Sequence, residues 1–307
     1  MKKIYKPSWF KNDVVIVSTA KTCGINKDGL ELFEVDEISG QRSNQINDEL
    51  LKSVTSIINN ESNEHVVELN YENVISSKVL VPQYFDLHSV KEIKDEFYEN
   101  ENYDLVTLGE LIDNNTLSIS EGHGSPSADQ RIGDVPYIKV SDIRAGQVNI
   151  NQTNLIPLEL AKKYWKAENS NLKPYDLISP KRASKNIGEF AVLMPDQTNI
   201  VLTKEVMIIR SNSDLIDQFY LMWALSLKTV RKQWDRIILM QTNREDVGNR
   251  IREILIPIPL NKKTMEEKSQ IFGEYYGLVE KARKQLQLKL EQDEFSHYQQ
   301  TNNKFNE

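Results

Sequence analysis

Three basic residues lie close together on a segment of small side chains: Lys181, Arg182 and Lys185. Ala183 and Ser184, which separate two of them, leave room for an anion to approach the chain. A guanidinium presents a planar fork of donors that matches a phosphate or the major-groove edge of guanine. The segment is therefore the first candidate for contact with nucleic acid. A solvated run of surface charge is the alternative interpretation.

A second polar segment consists of Gln241, Thr242, Asn243 and Arg244. Glutamine and asparagine can each form two hydrogen bonds with an adenine edge, and threonine can contact the methyl group of thymine. Thr242 or Asn243 could equally cap a helix predicted over residues 246–254. Both interpretations remain open at this stage.

Lys139 and Arg144 accompany the run Val135-Pro-Tyr-Ile-Lys-Val-Ser141, which its β-branched and aromatic residues predict to be a strand. Either cation could meet a phosphate or a guanine edge. A strand that alternates its sides could equally expose them to water.

A helix is predicted over residues 214–237, with Asp214 as its N-cap. Its tryptophan and methionine residues are interpreted as core. Four basic residues share one side of this helix and could contact a nucleic-acid backbone. They are Lys228, Arg231, Lys232 and Arg236.

The elements that must position these residues are short apolar runs separated by turn signals between residues 131 and 260. Further runs are Leu177-Ile-Ser-Pro180, Phe190-Ala-Val-Leu-Met194, Ile200-Val-Leu202 and Val206-Met-Ile-Ile-Arg210. They predict an α+β fold with a curved, mostly antiparallel sheet and packed helices. Residues 118–129 are expected to form a polar surface loop, and Pro257 and Pro259 to interrupt regular structure.

A long helix is predicted from Thr264 to about Ser296, because apolar residues recur there at steps of three and four. Such a helix needs a partner along its apolar stripe, either its own domain or a second helix in a coiled coil. Residues 261–298 are assigned to this helix, and residues 299–307 are expected to form a disordered tail.

Near the N-terminus, Asp13-Val-Val-Ile-Val-Ser18 and residues 30–36 read as strands on either side of a turn at residues 24–29. This pattern predicts a β-hairpin. Residues 92–102 are predicted to form a solvated helix or linker. The domain boundary is therefore placed near residue 101, between a small N-terminal region (1–100) and a larger domain (101–260).

The charge of the chain argues against strong binding to a polyanion on its own. Lys and Arg total 38 against 45 Asp and Glu, but residues 1–100 carry 11 basic and 17 acidic residues, while residues 101–260 carry 19 and 20. The larger domain is thus nearly neutral and could present a basic face. Weak intrinsic affinity, supplemented by a basic partner, is the expected outcome.

Several other classes are disfavoured. The single Cys23 rules out an internal disulfide framework, and the four histidines lack metal-ligand spacing, so no metal is assigned. No membrane-length apolar run or signal-peptide core occurs, so a cytoplasmic protein without a membrane partner is expected. Neither a glycine-rich cofactor loop nor a catalytic motif is found.

Four pieces of the chain, in order, resemble the target-recognition domain of specificity subunits in type I restriction-modification systems. They are Val135-Pro-Tyr-Ile-Lys-Val-Ser-Asp142, Leu172-Lys-Pro-Tyr-Asp-Leu-Ile-Ser-Pro-Lys-Arg182 with Asn186-Ile-Gly188, Leu215-Ile-Asp-Gln-Phe-Tyr-Leu221, and Ile254-Leu-Ile-Pro-Ile-Pro-Leu260. Residues 13–36 and 74–86 are similar to the tail of an adenine-specific DNA methyltransferase. The resemblance implies a half-subunit, with one recognition domain and one long helix.

The resemblance implies a subunit without catalytic residues that reads double-stranded DNA for a partner adenine methyltransferase, with or without a nuclease, in phage defence. S-adenosylmethionine would bind the partner, and no cofactor is assigned to this chain. The helix over residues 264–296 would serve subunit contact or self-association. Two alternatives remain: an obligate fragment of a split methyltransferase, and an assembly or inhibitory protein on the same fold.

Overall fold

The computed structural model describes residues 14–36, 38–98, 100–151, 153–182, 186–239 and 246–292. The chain divides into two compact units, Met1–His88 and Ser89–Glu307. The boundary predicted near residue 101 lies inside the second unit. Of the two forms predicted for residues 92–102, a solvated helix or a linker, the structure has a helix, α3 (His88–Glu96), and this helix buries Ile93 in the core of that unit.

The described residues of the first unit form two antiparallel strand pairs and two α-helices. Its elements are β1 (Val14–Ser18), β2 (Phe33–Val35), β3 (Arg42–Ile46), α1 (Glu49–Asn59), β4 (Val66–Asn70) and α2 (Tyr71–Ser77). Strand β1 pairs with β4, and β2 pairs with β3. Asp48 caps α1 by accepting the Leu51 N–H at 2.8 Å, and Asn70 caps α2 by accepting the Glu72 N–H at 2.8 Å.

The predicted N-terminal hairpin is wrong in its pairing. The turn itself forms, because Asn26 Oδ1 accepts the N–H groups of Asp28 and Leu30, each at 2.9 Å. The flanking strands, however, find other partners. All five residues of β1 pair with the equally long β4, whereas the segment after the turn offers only the three residues of β2.

The second unit contains most of the strands and the long helix. Its strands are β5 (Tyr103–Thr107), β6 (Leu117–Glu121), β7 (Val135–Ile138), β8 (Ile143–Arg144), β9 (Gln147–Val148), β10 (Leu155–Ile156), β11 (Leu177–Pro180), β12 (Ala191–Val192), β13 (Val201–Leu202), β14 (Val206–Ser211) and β15 (Leu255–Pro259). Besides α3, its helices are α4 (Leu108–Asp113), α5 (Leu158–Trp165), α6 (Gln218–Ser226), α7 (Lys228–Ile237) and α8 (Lys262–Gln292).

The α+β class with mostly antiparallel pairing is confirmed, although the strands form several small sheets rather than one. The order in the largest sheet is β12-β11-β14-β6, and β10-β7-β13 forms a second. Among the described strands, β7 and β13 form the one parallel pair. The four-stranded sheet is buried on both faces, with Leu177 and Ile209 in one apolar cluster and Ile178 and Ile208 in another.

The helix predicted over residues 214–237 is two helices, α6 and α7, which meet at the extended residue Leu227. The N-cap is Asp217 rather than Asp214, since Asp217 Oδ1 accepts the Tyr220 N–H at 2.7 Å. Met222 and Trp234 are buried in the core, as predicted.

The polar loop predicted over residues 118–129 is wrong for its first part, which belongs to β6 and pairs with β14. The glycines that follow are packed tightly. A Cβ atom on Gly122 would lie 1.9 Å from the Thr203 carbonyl oxygen, and one on Gly124 would lie 1.8 Å from the Tyr164 ring. Residues distant in the chain thus impose order on a sequence that is locally typical of a loop.

The prediction that Pro257 and Pro259 interrupt regular structure is also wrong, because both lie in β15. Among the described strands, β15 pairs with β5 alone. At the two ends of this pair the Leu108 N–H donates to the Ile254 carbonyl oxygen and the Leu260 N–H to the Asn102 carbonyl oxygen, so the alternate residues 254, 256, 258 and 260 face β5 with their backbone hydrogen-bonding groups. The prolines therefore occupy positions whose N–H would point away from β5.

The predicted long C-terminal helix is confirmed over Lys262–Gln292, as α8. Residues 293–307, which include the predicted end of this helix and the predicted tail, lie outside the described residues. Met265 and Tyr276 are buried against the second unit, and Arg283 pairs with Asp196 with an N–O distance of 2.6 Å. Packing against the second unit therefore accounts for the apolar residues of α8 as far as Tyr276. Further along, Leu286 and Leu288 are exposed, and self-association remains a prediction.

Burial of His123 should make the second unit sensitive to acid. Its Nδ1 accepts the Leu202 N–H at 3.1 Å and its Nε2 lies 3.1 Å from the Ser170 carbonyl oxygen, an arrangement that suits the neutral ring. Burial lowers the pKa of His123 below its ordinary value of 6.5. As the pH falls below 6.5, the unfolded chain binds a proton at this histidine that the folded chain does not, so the free energy of unfolding should decrease as the pH is lowered. Above that pH, the contribution of His123 to the free energy of unfolding should stay constant.

Thermal unfolding measured from about pH 8 to about pH 5 tests this expectation, since the ordinary histidine pKa lies in that interval. His123→Gln keeps an amide donor but cannot titrate, and its melting temperature should depend less on pH. Equal pH dependence in the two proteins would exclude His123 as the cause.

Candidate nucleic-acid interface

The chain leaves the four-stranded sheet at Pro180, and Lys181 and Arg182 follow directly. Lys181 is largely buried, with 13% of its side chain exposed, and its Nζ lies 2.5 Å from Glu121 Oε1 and 2.9 Å from Asp246 Oδ2. Burial alone would lower the pKa of Lys181, but the hydrogen bonds to the two carboxylates outweigh it and raise the pKa. Lys181 is therefore held as a charged residue within a small ion-pair cluster.

Arg182 is more accessible, with 45% of its side chain exposed and Nη1 3.2 Å from Glu205 Oε1. Its backbone forms an antiparallel bridge with Asp246, supported by the Val247 N–H donating to the Lys181 carbonyl oxygen at 2.9 Å. This bridge joins two segments that the sequence separates widely.

The bridge brings together the ends of two predicted contact segments. Arg182 directly precedes the segment that carries Lys185, and Asp246 follows the polar segment of Gln241, Thr242, Asn243 and Arg244. Lys185 and those four polar residues lie outside the described residues, so their assignments stay predictions from sequence. The residue just before the first segment, Arg182, is nevertheless paired with Asp246, which follows the second segment.

Arg144 lies at the other end of the same segment. Its Nη1 donates to Asn186 Oδ1 at 3.1 Å and its Nε to the Ser141 carbonyl oxygen at 3.4 Å, both neutral acceptors. Asn186 Nδ2 in turn donates to the Ile143 carbonyl oxygen at 3.4 Å. Within the described part of the chain, this exposed guanidinium forms no ion pair, so it is available to an anion or a base edge.

A cleft with a volume of about 440 Å³ opens beside Arg144 and is also lined by Gly188, Glu189, Phe190 and Arg231. Arg231 Nη1 donates to the Ile187 carbonyl oxygen at 3.3 Å, and burial lowers the pKa of this guanidinium. The close approach of Arg231 explains Gly188, since a Cβ atom there would lie 2.7 Å from Nη1 and the residue has a φ of +74°. Two guanidiniums thus line one cleft.

The remaining predicted contact residues differ in accessibility. Arg236 is 8% exposed, and its Nη2 lies 2.8 Å from Glu253 Oε2, so contact with a ligand would require this pair to open. Lys139 is half-buried, and its backbone N–H donates to Asp142 Oδ2 at 2.8 Å. Lys232, on the same helix as Arg236, pairs with Glu92 at 2.6 Å.

Carboxylates balance the cations of this surface, and sequence reasoning missed them. Glu121 and Glu205 lie far from residues 181–182 in the chain and reach them only through the pairing of β6, β14 and β11. No local pattern could have identified these pairs. Their effect is that the basic segment exerts little long-range attraction on a polyanion.

No protein-family model matches the chain, and a search of curated proteins finds no match. Among solved structures, the chain is similar to the S subunit of a type I restriction-modification system from M. genitalium (TM-score 0.36, 14% identity, 72% of this chain and 53% of that one). It is also similar to the HsdS subunit from Thermoanaerobacter tengcongensis (TM-score 0.35, 13% identity, 71% and 55%).

A third similar chain belongs to a study of complex assembly and conformational transition in the type I restriction-modification system (TM-score 0.37, 14% identity, 74% of this chain and 58% of that one). The present chain therefore spans little more than half the length of these structures. Within the described residues, no cluster of three or more potential metal ligands occurs. None of the described helices combines the length and apolar character needed to cross a bilayer.

Lys181 and Arg182 should differ in their contribution to stability. Lys181→Met leaves Glu121 and Asp246 close together without their shared cation, and should lower the free energy of unfolding by about 1–2 kcal/mol. Arg182→Met removes a more exposed pair and should cost less than about 1 kcal/mol. Urea unfolding of the two variants measures the difference. Equal losses would show that burial of Lys181 adds nothing to its pairing.

Proposed function

We propose that this chain is a non-catalytic subunit that recognises a sequence in double-stranded DNA on behalf of a separate adenine methyltransferase. The observation that carries the proposal is the proximity of described residues that belong to, or closely follow, three predicted contact segments. Arg182 and Asn186 stand on either side of residues 183–185. Asn186 is hydrogen-bonded to Arg144 and to the Ile143 carbonyl oxygen, and Arg182 forms the backbone bridge with Asp246, although these partners are distant in the chain. The resemblance of residues 135–142, 172–182 with 186–188, 215–221 and 254–260 to a target-recognition domain supports the same interpretation.

The chemistry of this surface suits reading rather than strong attraction. Arg144 is exposed, and its hydrogen bonds to described residues go to neutral acceptors, so it can offer its donor fork to guanine or phosphate. Arg182 must first exchange Glu205 for a DNA acceptor. DNA that replaces the hydrogen bonds that Arg182 loses is bound in preference to DNA that does not. The exchange therefore increases discrimination between sequences and lowers affinity.

A partner would supply what this surface lacks. The balanced charge of the recognition surface limits phosphate binding, so a basic methyltransferase subunit would provide most of the non-specific affinity. S-adenosylmethionine would bind that partner. A nuclease, a role in phage defence and self-association through residues 264–296 are further parts of the proposal, and they depend on which proteins accompany the chain in its host.

Binding to a library of DNA duplexes with a randomised region, with and without the co-purifying partner, tests this function at a fixed salt concentration. We expect sequence enrichment only with both proteins present. Arg144→Gln and Arg182→Gln should each weaken binding to the enriched sequence by about 5- to 150-fold, the range for loss of one bidentate base contact. Glu205→Gln should instead strengthen binding by roughly threefold, because it frees Arg182 and removes a negative charge.

Lys162→Gln is a matched control, since Lys162 pairs with Glu168 at 2.7 Å and belongs to none of the contact segments. This variant should leave binding unchanged. A stable partner complex without sequence enrichment would contradict the proposal and leave an assembly or inhibitory role. Methylation that requires residues of this chain in the catalytic site would instead favour a split methyltransferase.

A further inference from the structure

The hairpin that carries Arg144 contains an unusual turn. Strands β8 and β9 are joined by two residues, Ala145 and Gly146, both with positive φ angles (50° and 75°). This is the pattern of a type I′ turn, which matches the twist of a hairpin. A residue with a Cβ atom is uncommon in the left-handed region, and strands of two residues contribute few hydrogen bonds. The turn therefore depends on support from outside the hairpin.

Helix α8 supplies that support through two adjacent tyrosines. The Tyr276 hydroxyl donates to the Gly146 carbonyl oxygen at 2.7 Å, and Gln147 Nε2 donates to the Tyr275 hydroxyl at 2.8 Å. Tyr276 is itself held rigidly, with 2% of its surface exposed and its ring stacked on Phe219. Burial raises the pKa of Tyr276, so its hydroxyl keeps the proton that it donates.

Both tyrosine contacts act next to Arg144. Gln147 is the cross-strand neighbour of Arg144, and Gly146 lies two residues after it in the chain. The Gly146 carbonyl oxygen also accepts the Val192 N–H at 3.1 Å, so the hairpin is attached to β12 as well. The position of the turn, and hence the direction in which Arg144 leaves the surface, is determined by α8 and β12 together.

We infer that Tyr275 and Tyr276 are positioning residues for DNA recognition, which hold the hairpin so that Arg144 meets its base. The inference rests on the proposed function, because it assigns Arg144 to the DNA contact. Sequence preference then depends on the hydroxyl group of Tyr276 on the long helix, although Tyr276 does not line the cleft.

The variant that tests this inference is Tyr276→Phe, which removes one hydroxyl and retains the ring packing. Gly146 keeps its bond from Val192, so the fold should persist. Tyr175→Phe is the matched control: its hydroxyl also binds α8, donating to Glu280 Oε2 at 2.7 Å, and among the described residues that hydroxyl forms no hydrogen bond with the hairpin. The two variants should have similar thermal midpoints.

The decisive measurement is the ratio of binding to the enriched duplex and to a random duplex, made on the complex with its partner. Tyr276→Phe should lower this ratio by roughly fivefold or more, a partial loss of one base contact, and Tyr175→Phe should leave it unchanged. Arg144→Gln combined with Tyr276→Phe should lower it no further than Arg144→Gln alone, because both changes affect one contact.

A measurement without DNA separates this inference from the proposed function. Hydrogen exchange of the amides between residues 144 and 148 should be faster in Tyr276→Phe than in the wild type or in Tyr175→Phe. Unchanged exchange, a retained binding ratio in Tyr276→Phe, or losses that multiply in the double variant would each overturn the inference. Absence of sequence preference in the wild-type complex would instead overturn the proposed function, and the role of the tyrosines in DNA recognition with it.

Discussion

Burial of the four-stranded sheet on both faces is the constraint on which the second unit depends. Every residue of β11 is buried and none is charged, so the charged side chains lie just before and just after that strand. Before the strand, Asp176 is buried and receives two hydrogen bonds from Arg210, at 2.7 and 2.6 Å. At its other end the chain reaches the surface with Lys181. The strand is thus anchored at one end and presents charge at the other.

The surface that results combines rigid elements with balanced charge. Cations there are positioned by hydrogen bonds to the backbone and to carboxylates, which lowers the entropy lost when a ligand binds. The same carboxylates reduce attraction at a distance. An arrangement of this kind favours discrimination between ligands over affinity, and the proposed recognition of DNA by a chain with net charge −7 would depend on that property.

Much of the fold could be predicted from local pattern. The apolar runs that became β7, β11 and β14 are continuous because their sheets are buried, and the spacing along α8 is regular over many turns. These signals lie within single elements. Lys181, Arg182 and Arg144 could be proposed as contact residues for the same reason, since charge and small neighbours are local properties, and their role in binding stays a prediction.

What could not be predicted depends on partners distant in the chain. The pairing of β1 with β4 and the carboxylates around Lys181 have no local signature. The sequence of each strand is compatible with several partner strands, and a lysine with any carboxylate, so the choice depends on the whole fold. The choice of Asp217 over Asp214 as cap depends on where the chain leaves β14. Distances between segments are properties of the whole fold, and a single sequence does not contain them explicitly.

The outer side of β15 has a consequence for how this protein behaves at high concentration. Gln233 bonds both the N–H and the carbonyl oxygen of Leu255 at 2.9 Å, and the Tyr220 hydroxyl donates to the Pro257 carbonyl oxygen at 2.9 Å. Pro257 and Pro259 have no N–H to offer on that side. An incoming strand from another molecule would therefore find few backbone partners, and this sheet edge is protected against the intermolecular pairing that leads to aggregation.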